Sequence, residues 1–449
     1  MSNISAIRDR LAGGPMRTRQ LVESTGMSQP TISRAISSMG DEIVRIGSGP
    51  SIQYAIRDGS RGSDDVPVYQ VDVEGRLRLL GQLIAVQPEG YIMRQEDGVR
   101  LHHDGLPWWL SDMRPQGFLG RAYAHRHADE LGLPSNPQEW SDTHALRALL
   151  RHGENSVGNL LLGDRSRERF LSQPAQTPVD DTVLGETYVS LADEATRGEL
   201  PESSAGGEQP KFVTYAMTSD GSRHMLVKFS VAEENPVAER WRDLLLAEHI
   251  AAETLLAAGV DAVTTRLFDY GGQRFLEIER FDRVGDMGRH GLVSLAALDA
   301  EFVGMGAGAW PEAVRRLSAE GHVQEQAYSG AAILHAFGTL IGNTDMHFGN
   351  LSFLSDHGRP YELAPAYDML PMGFSPRRSG ELPDALPEPS IVSSVDNKLW
   401  AKSLEVARDY LYKLQAARDD GDFSERFWPC IVALERHINT ASGKIARLG

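Results

Sequence analysis

Asn343-Thr344-Asp345-Met346-His347-Phe348-Gly349-Asn350 and, eighteen residues further on, Asp368 within Tyr367-Asp368-Met369 carry the chemistry from which this 449-residue chain can be understood. An acid, an amide five positions later and a second acid downstream form a minimal phosphoryl-transfer set. Such a set holds Mg2+ against nucleotide phosphates and takes a proton from an attacking hydroxyl. Asp345 is then the group that orients and deprotonates the acceptor, and Asn350 and Asp368 supply oxygen ligands to the metal. His347 could be mistaken for a zinc ligand or a general base. Beside the acid it is expected to pack the nucleotide-binding loop.

The other parts of a nucleotide site can be sought independently, in chain order. Ser203-Ser204-Ala205-Gly206-Gly207-Glu208-Gln209-Pro210-Lys211 offers a cradle in which small residues admit phosphate oxygens to backbone N–H groups. Gly206, Gly207, Gln209 and Lys211 are its candidate contacts. Lys228 follows in His224-Met225-Leu226-Val227-Lys228-Phe229, a short apolar strand with one inward cation. Residues 238–258 read as a long amphipathic helix ended by Gly259, with Glu248 midway to clamp Lys228. Glu239 and Glu253 are alternatives on the same helix. Residues 275–283 run from a strand into a charged turn, where Glu279, Arg280 and Phe281 would form a hinge against adenine. An apolar helix over 327–341 then leads into the catalytic loop. Each part alone is weak; their order carries the assignment.

This order predicts an α+β chain with a two-lobed, protein-kinase-like body: an N-lobe over 161–285 and a helical C-lobe over 286–449. Val68–Val73 and Arg76–Ala85 alternate like strands, and residues 66–160 read as a small α+β subdomain, with Trp108 and Trp109 as packing residues. The polar segment 57–65 reads as a linker.

The first sixty residues differ in kind. They hold seven arginines against five acids, while the whole chain carries −17. Ile4, Ile7 and Leu11 share a helical face, and Arg17–Ser24 makes a second short helix. After a turn at Thr25-Gly26-Met27, Ser28-Gln29-Pro30 opens a third helix buried through Ile32, Ala35, Ile36 and Met39. Strands on either side of Gly47-Ser48-Gly49-Pro50 complete a winged helix-turn-helix over residues 1–60. Ser28, Gln29, Thr31 and Arg34 would face bases and phosphates. A head with so little positive charge predicts weak binding as a monomer, and hence a homodimer on a two-fold DNA site.

Bulk properties exclude several classes. No stretch reaches the ~20 apolar residues of a membrane helix, and the N-terminus lacks the layout of a secretion signal. Cys430 is the single cysteine, so neither an internal disulfide nor a cysteine zinc cage can form. A bacterial cytoplasm without membrane attachment is the expected setting.

Ser-x-x-Gly-x-Gln-x-Lys, the strand lysine, Glu-Arg-Phe-Asp-Arg, Thr-Asp-x-His-x-x-Asn and Ala-Pro-x-Tyr-Asp together resemble the HipA-type serine/threonine kinases of bacterial toxin–antitoxin systems. The resemblance runs from about residue 66 to the C-terminus. It implies a HipA-like fold, ATP and Mg2+ as cofactors, and phosphorylation of a protein serine, in relatives on an aminoacyl-tRNA synthetase. It also implies self-inactivation by phosphorylation of a loop serine, Ser204 or its neighbour Ser203. A fused DNA-binding module departs from the usual separate antitoxin and resembles the single-chain YjjJ-type branch. This puts control by a HipB-like partner in question.

Three rivals have different signatures. A sugar-kinase-type repressor would carry an Asp-x-Gly-x-Thr phosphate loop and a cysteine-rich zinc site, and neither is found in the sequence. A DNA-binding regulator with an inert, sensor-like kinase body would not turn over ATP. A small-molecule phosphotransferase would label a metabolite, not a protein.

Overall fold

The structure is a computed structural model describing residues 2–47, 51–61, 65–197 and 209–447. Contacts divide the chain into two bodies, one of residues 1–114 and 139–174, the other of 115–138 and 175–449.

The first body opens with α1 (Asn3–Leu11), β1 (Met16–Arg17), α2 (Thr18–Thr25), α3 (Gln29–Met39), β2 (Ile43–Ile46) and β3 (Gln53–Ile56). The helices and the last two strands stand in the expected order, whereas β1, which pairs with β3, is an addition to it. Ile7, Leu11, Leu21, Ile32, Ala35, Ile36 and Met39 form one buried cluster. This is the 3.6-residue periodicity of the sequence turned into a core. Pro30 stands in the first turn of α3, and Gly26 ends α2 in the left-handed conformation.

Next come β4 (Val66–Val71), β5 (Leu77–Ala85), β6 (Tyr91–Gln95) and β7 (Arg100–His103). The chain then leaves this body for α4 (Gly117–Leu131) and returns through α5 (Asp142–His152), β8 (Leu160–Leu162) and α6 (Gly163–Ser172). The sheet order is β7-β6-β5-β4-β8. Its covered face holds Val68, Leu83, Tyr91, Met93, Leu110, Leu146 and Leu149, with Trp109 packed against them.

Two expectations change here. The segment starting at residue 57 is a pinned strap, not a free linker. Asp58 is buried and bonds Arg61, whose guanidinium caps the Val86, Glu89 and Gly90 carbonyls, and Arg57 pairs with Asp65. Moreover, Val44, Ile46 and Ala55 share a core with Ile84, Val86 and Ile92, so the leading module and the following sheet bury one apolar surface together. Local composition hid this, because a Gly/Ser-rich stretch can be ordered by ion pairs within it and by a guanidinium bonded to distant carbonyls.

The second body holds α7 (Leu184–Thr196), β9 (Lys211–Thr218), β10 (Gly221–Phe229), α8 (Pro236–Ala257), β11 (Thr265–Tyr270) and β12 (Gln273–Glu279). Its antiparallel sheet has the order β11-β12-β10-β9. Residues 161–174, expected in this N-lobe, pack instead with the first body, while 115–138 join the second. Tyr188 of α7 is fully buried and bonds Glu277 at 2.5 Å, so a buried carboxylate is satisfied by a hydroxyl and by Arg266.

Short strands β13 (Arg283–Val284) to β17 (Glu362–Leu363) and helices α9 (Leu295–Leu298), α10 (Trp310–Ala319), α11 (Glu325–Leu340), α12 (Asn397–Asp419) and α13 (Trp428–Ile445) build the C-lobe. The Tyr410 hydroxyl of α12 donates to the Ala247 carbonyl of α8, tying the lobes. Asn235 caps α8 by accepting from the Val237 and Ala238 amides. Among the described residues no helix is long and apolar enough to cross a membrane.

Candidate active site

Lys228 lies near the end of β10 and Lys211 at the start of β9, directly opposite each other across the ladder. Two cations so placed repel unless carboxylates stand between them. Glu248 of α8 and Asp368 supply those carboxylates. The Lys228 ammonium donates to Glu248 at 2.6 Å and to Asp368. Burial alone would lower the Lys228 pKa, but the two carboxylates outweigh it and raise it. Burial likewise favours the acid form of Asp368, yet Lys228 and Lys211 hold its pKa down to about 2. Glu248 is shifted upward by burial, and its second carboxylate oxygen has no partner among the described residues. Of the three acids considered on α8, Glu239 pairs with Arg426 and Glu253 lies beside His249, so Glu248 alone reaches the lysine.

Asp368 has a φ of 55°, the one non-glycine in the left-handed region among the described residues. That backbone is strained for a branched side chain and persists where surrounding bonds fix it. Here Asn343, nearly fully buried, donates to the Asp368 carbonyl at 3.2 Å while its own oxygen accepts from the Asp345 amide at 3.0 Å. Tyr367 adds a second tie, donating to the Gly349 carbonyl at 2.9 Å. Asn343 and Tyr367 are residues whose role the sequence did not disclose. An Asn two positions before an acid is a local signal for such a turn.

The loop itself is held from below. A Cβ at Gly338 of α11 would crowd the Met346 thioether, so the glycine lets that side chain lie close against the helix. Asn350 donates to the Asp345 carbonyl at 2.8 Å, and the His347 ring accepts from the Gly349 amide at 3.0 Å. His347 thus shapes the loop, with its other ring nitrogen 4.0 Å from Asp345.

Lys211, Thr344, Asp345, His347, Asn350, Asp368 and Met372 line one cavity of about 480 Å3, closed on another side by residues 116–119. That last contribution had no signal in the sequence, because it comes from far upstream. Behind Lys228, Leu226, Leu267, Phe281 and Tyr367 pack on a cluster of Leu245, Val263, Leu276 and Ile278. Phe281 and Tyr367 stand 5.9 Å apart, whereas Glu279 is paired with Arg223 at 2.9 Å. Gln209 is buried. Ser203, Ser204, Gly206 and Gly207 lie outside the described residues.

A Pro-rich segment follows Asp368. Arg240 of α8 donates to the Phe374 and Pro383 carbonyls, and Lys444 of α13 to that of Pro389, so this segment is tied to helices of both lobes. In the leading module, Ser28, Gln29 and Arg34 are exposed on α3 and Thr31 is half-buried, 2.9 Å from the Ser28 hydroxyl.

Lys228 on a sheet strand bonds Glu248 of a helix and Asp368, and Asp368 shares a cavity with Asp345 and Asn350, an arrangement that fits a kinase-like body. Comparisons agree with this class. Residues 203–418 match the HipA-like C-terminal domain, and residues 62–171 match the middle domain of YjjJ-like toxins. The chain is 37% identical to Toxin YjjJ of Escherichia coli (strain K12), over 99% of this chain and all of that one. It therefore belongs to the HipA-type toxin family, in which YjjJ is its curated relative. Among solved structures, HipA of Shewanella oneidensis MR-1, determined with HipB and operator DNA, matches with a TM-score of 0.53. That match has 15% identity over 85% of this chain and 97% of that one, and shows a shared fold. The Helicobacter pylori proinflammatory kinase CtkA gives a TM-score of 0.39 over 54% of this chain.

Proposed function

We propose that the chain is an ATP-dependent serine/threonine protein kinase whose leading module binds DNA. The observation that carries the kinase reading is a cavity lined by Lys211, Asp345, Asn350 and Asp368, in which Asp368 is bonded to the Lys228 that Glu248 holds. The donor set suits Mg2+-ATP: hard oxygen ligands from Asp368 and Asn350 for the metal, with Lys211 and Lys228 for phosphate oxygens. Bound there, the metal would neutralise charge on the phosphates. Lys228 orients the nucleotide, and Glu248 holds Lys228 in position. Asp345 accepts the proton of the acceptor hydroxyl, its backbone fixed by Asn343 and Asn350. Phe281 is the proposed adenine contact and Gln209 a proposed contact on the phosphate side. Self-phosphorylation at Ser204 or Ser203 would end activity, and a translation component such as an aminoacyl-tRNA synthetase is the proposed target.

The test is incubation of the purified protein with γ-labelled ATP and a cell lysate, with Asp345→Ala as control. Label on a protein that disappears in the variant supports the reading. Label on a small molecule, or none, overturns it. Ser203→Ala with Ser204→Ala should give an enzyme that stays active on prolonged incubation with ATP. For the head, exposed Gln29 and Arg34 on α3 favour major-groove contact by a homodimer. A salt-dependent gel shift with DNA from upstream of its own gene, lost in Gln29→Ala/Arg34→Ala, tests this.

A further inference from the structure

The cavity described above is not built by the kinase segment of the chain alone. Gln116, Gly117, Phe118 and Leu119 line it beside Lys211, Asp345, Asn350, Asp368 and Met372. These four residues belong to the stretch matched by the middle-domain family, yet residues 115–138 pack with the catalytic body. The excursion has a firm base. Arg114 pairs with Asp142 and donates to the Trp140 carbonyl at 2.8 Å, bringing together the points where the chain departs and returns. Its entry is also tight: a Cβ at Gly120 would fall 2.5 Å from the Pro115 carbonyl carbon, so the first turn of α4 is seated closely on its own lead-in.

Within that turn, side chains divide by exposure. Phe118 is buried and anchors the turn, whereas Leu119 keeps 40% of its surface exposed at the cavity. Gln116 is exposed beside it. An exposed leucine beside a floor of lysines and carboxylates has no role in binding metal or phosphate. Apolar surface left open at a reacting centre is surface that a partner can cover. Met372 lies on the same cavity and adds a second apolar contact.

We propose that the first turn of α4, through Leu119 with Gln116, is the acceptor-side wall of the catalytic site. There it contacts the residue adjoining the phosphorylated hydroxyl and selects protein substrates with an apolar side chain at that place. This inference rests on the kinase reading of the same cavity. Leu119 is thus a specificity residue, not a catalytic one: it touches the acceptor protein and leaves the nucleotide alone.

The experiment compares wild type, Leu119→Lys, Leu119→Met and Gln116→Lys by γ-labelled ATP transfer to lysate proteins. The KM for ATP and the Mg2+-ATP-induced rise in melting temperature are measured alongside. The proposal expects Leu119→Lys to lose labelling of the wild-type targets tenfold or more, with both ATP measures unchanged, and Leu119→Met to restore it. Gln116→Lys, fully on the surface, should change the set of labelled proteins without lowering the melting temperature. An unchanged labelling pattern in both lysine variants overturns the inference while the kinase reading stands. A parallel loss of ATP affinity in Leu119→Lys also overturns it, by placing Leu119 on the nucleotide side. If wild type binds Mg2+-ATP but labels no protein, the kinase reading fails, and this inference fails with it.

Discussion

The exposed face of α3 and the cleft around Lys228 are both polar, but they are polar under opposite conditions. On α3, Ser28, Gln29 and Arg34 stand in water, and the helix is held by the apolar cluster beneath it. In the cleft, Lys228 and Glu248 are almost wholly buried, and Asp368 keeps 29% of its side chain exposed. Solvated charges cost the fold little and can be exchanged freely. Buried charges must be mutually satisfied, so removing one harms the others. One surface can therefore be altered at little cost to the fold; the other cannot.

The largest effect expected from this contrast comes from Lys228→Met. It leaves the Glu248 and Asp368 carboxylates facing each other without a cation, which should cost about 3–5 kcal/mol of stability. Denaturant unfolding measures it, and phosphoryl transfer should disappear with it. A loss under 1 kcal/mol would mean that Lys211 replaces the missing charge. Next, Ile32→Ala in the apolar support of α3 should cost the leading body about 2–5 kcal/mol, because the residue is fully buried. Hydrogen exchange confined to the first body would register it, with ATP turnover unaffected.

Asp345→Ala separates chemistry from stability. It should reduce phosphoryl transfer about 10²–10⁴-fold while the melting temperature stays within a degree or two of wild type, since its carboxylate is half-exposed. On the solvated surface, Arg34→Ala should change stability by no more than about 0.5 kcal/mol. It should reduce the salt dependence of DNA binding by roughly one ion.

The smallest effect is an expected constancy with pH. Asp368 is held down to about 2, so the stability it contributes is complete above the ordinary carboxylate range and is lost only as pH falls towards about 2. Lys228 is shifted upward, so its contribution is complete below the ordinary lysine range and is lost only at more alkaline pH. The stability difference between wild type and Asp368→Asn should therefore be flat from about pH 5 to 9. A slope in that window would mean that the pair is not formed in solution.

Much of this molecule follows from local patterns. The spacing of Asp345, Asn350 and Asp368 along one loop system, and the apolar periodicity of α1–α3, are properties of neighbouring residues. Lys228 could be suspected from its strand, and Glu248 from its helix. Choosing Glu248 over Glu239 and Glu253 required knowing how α8 lies against β10. That choice depends on packing between elements, not on spacing within one.

What the chain alone determined was which chemical groups are present, in what order, and which segments bury an apolar face. Backbone geometry and side-chain polarity act over a few residues, and a linear text records them. Only the tertiary structure decided that Asp368 sits in a left-handed backbone held by Asn343, that Arg57, Asp58, Arg61 and Asp65 are tied down by ion pairs, and that Gln116–Leu119 reach the cavity of Asp345 and Asp368. These outcomes depend on contacts between residues far apart in sequence, whose free energy is set by shape and burial after the chain has folded.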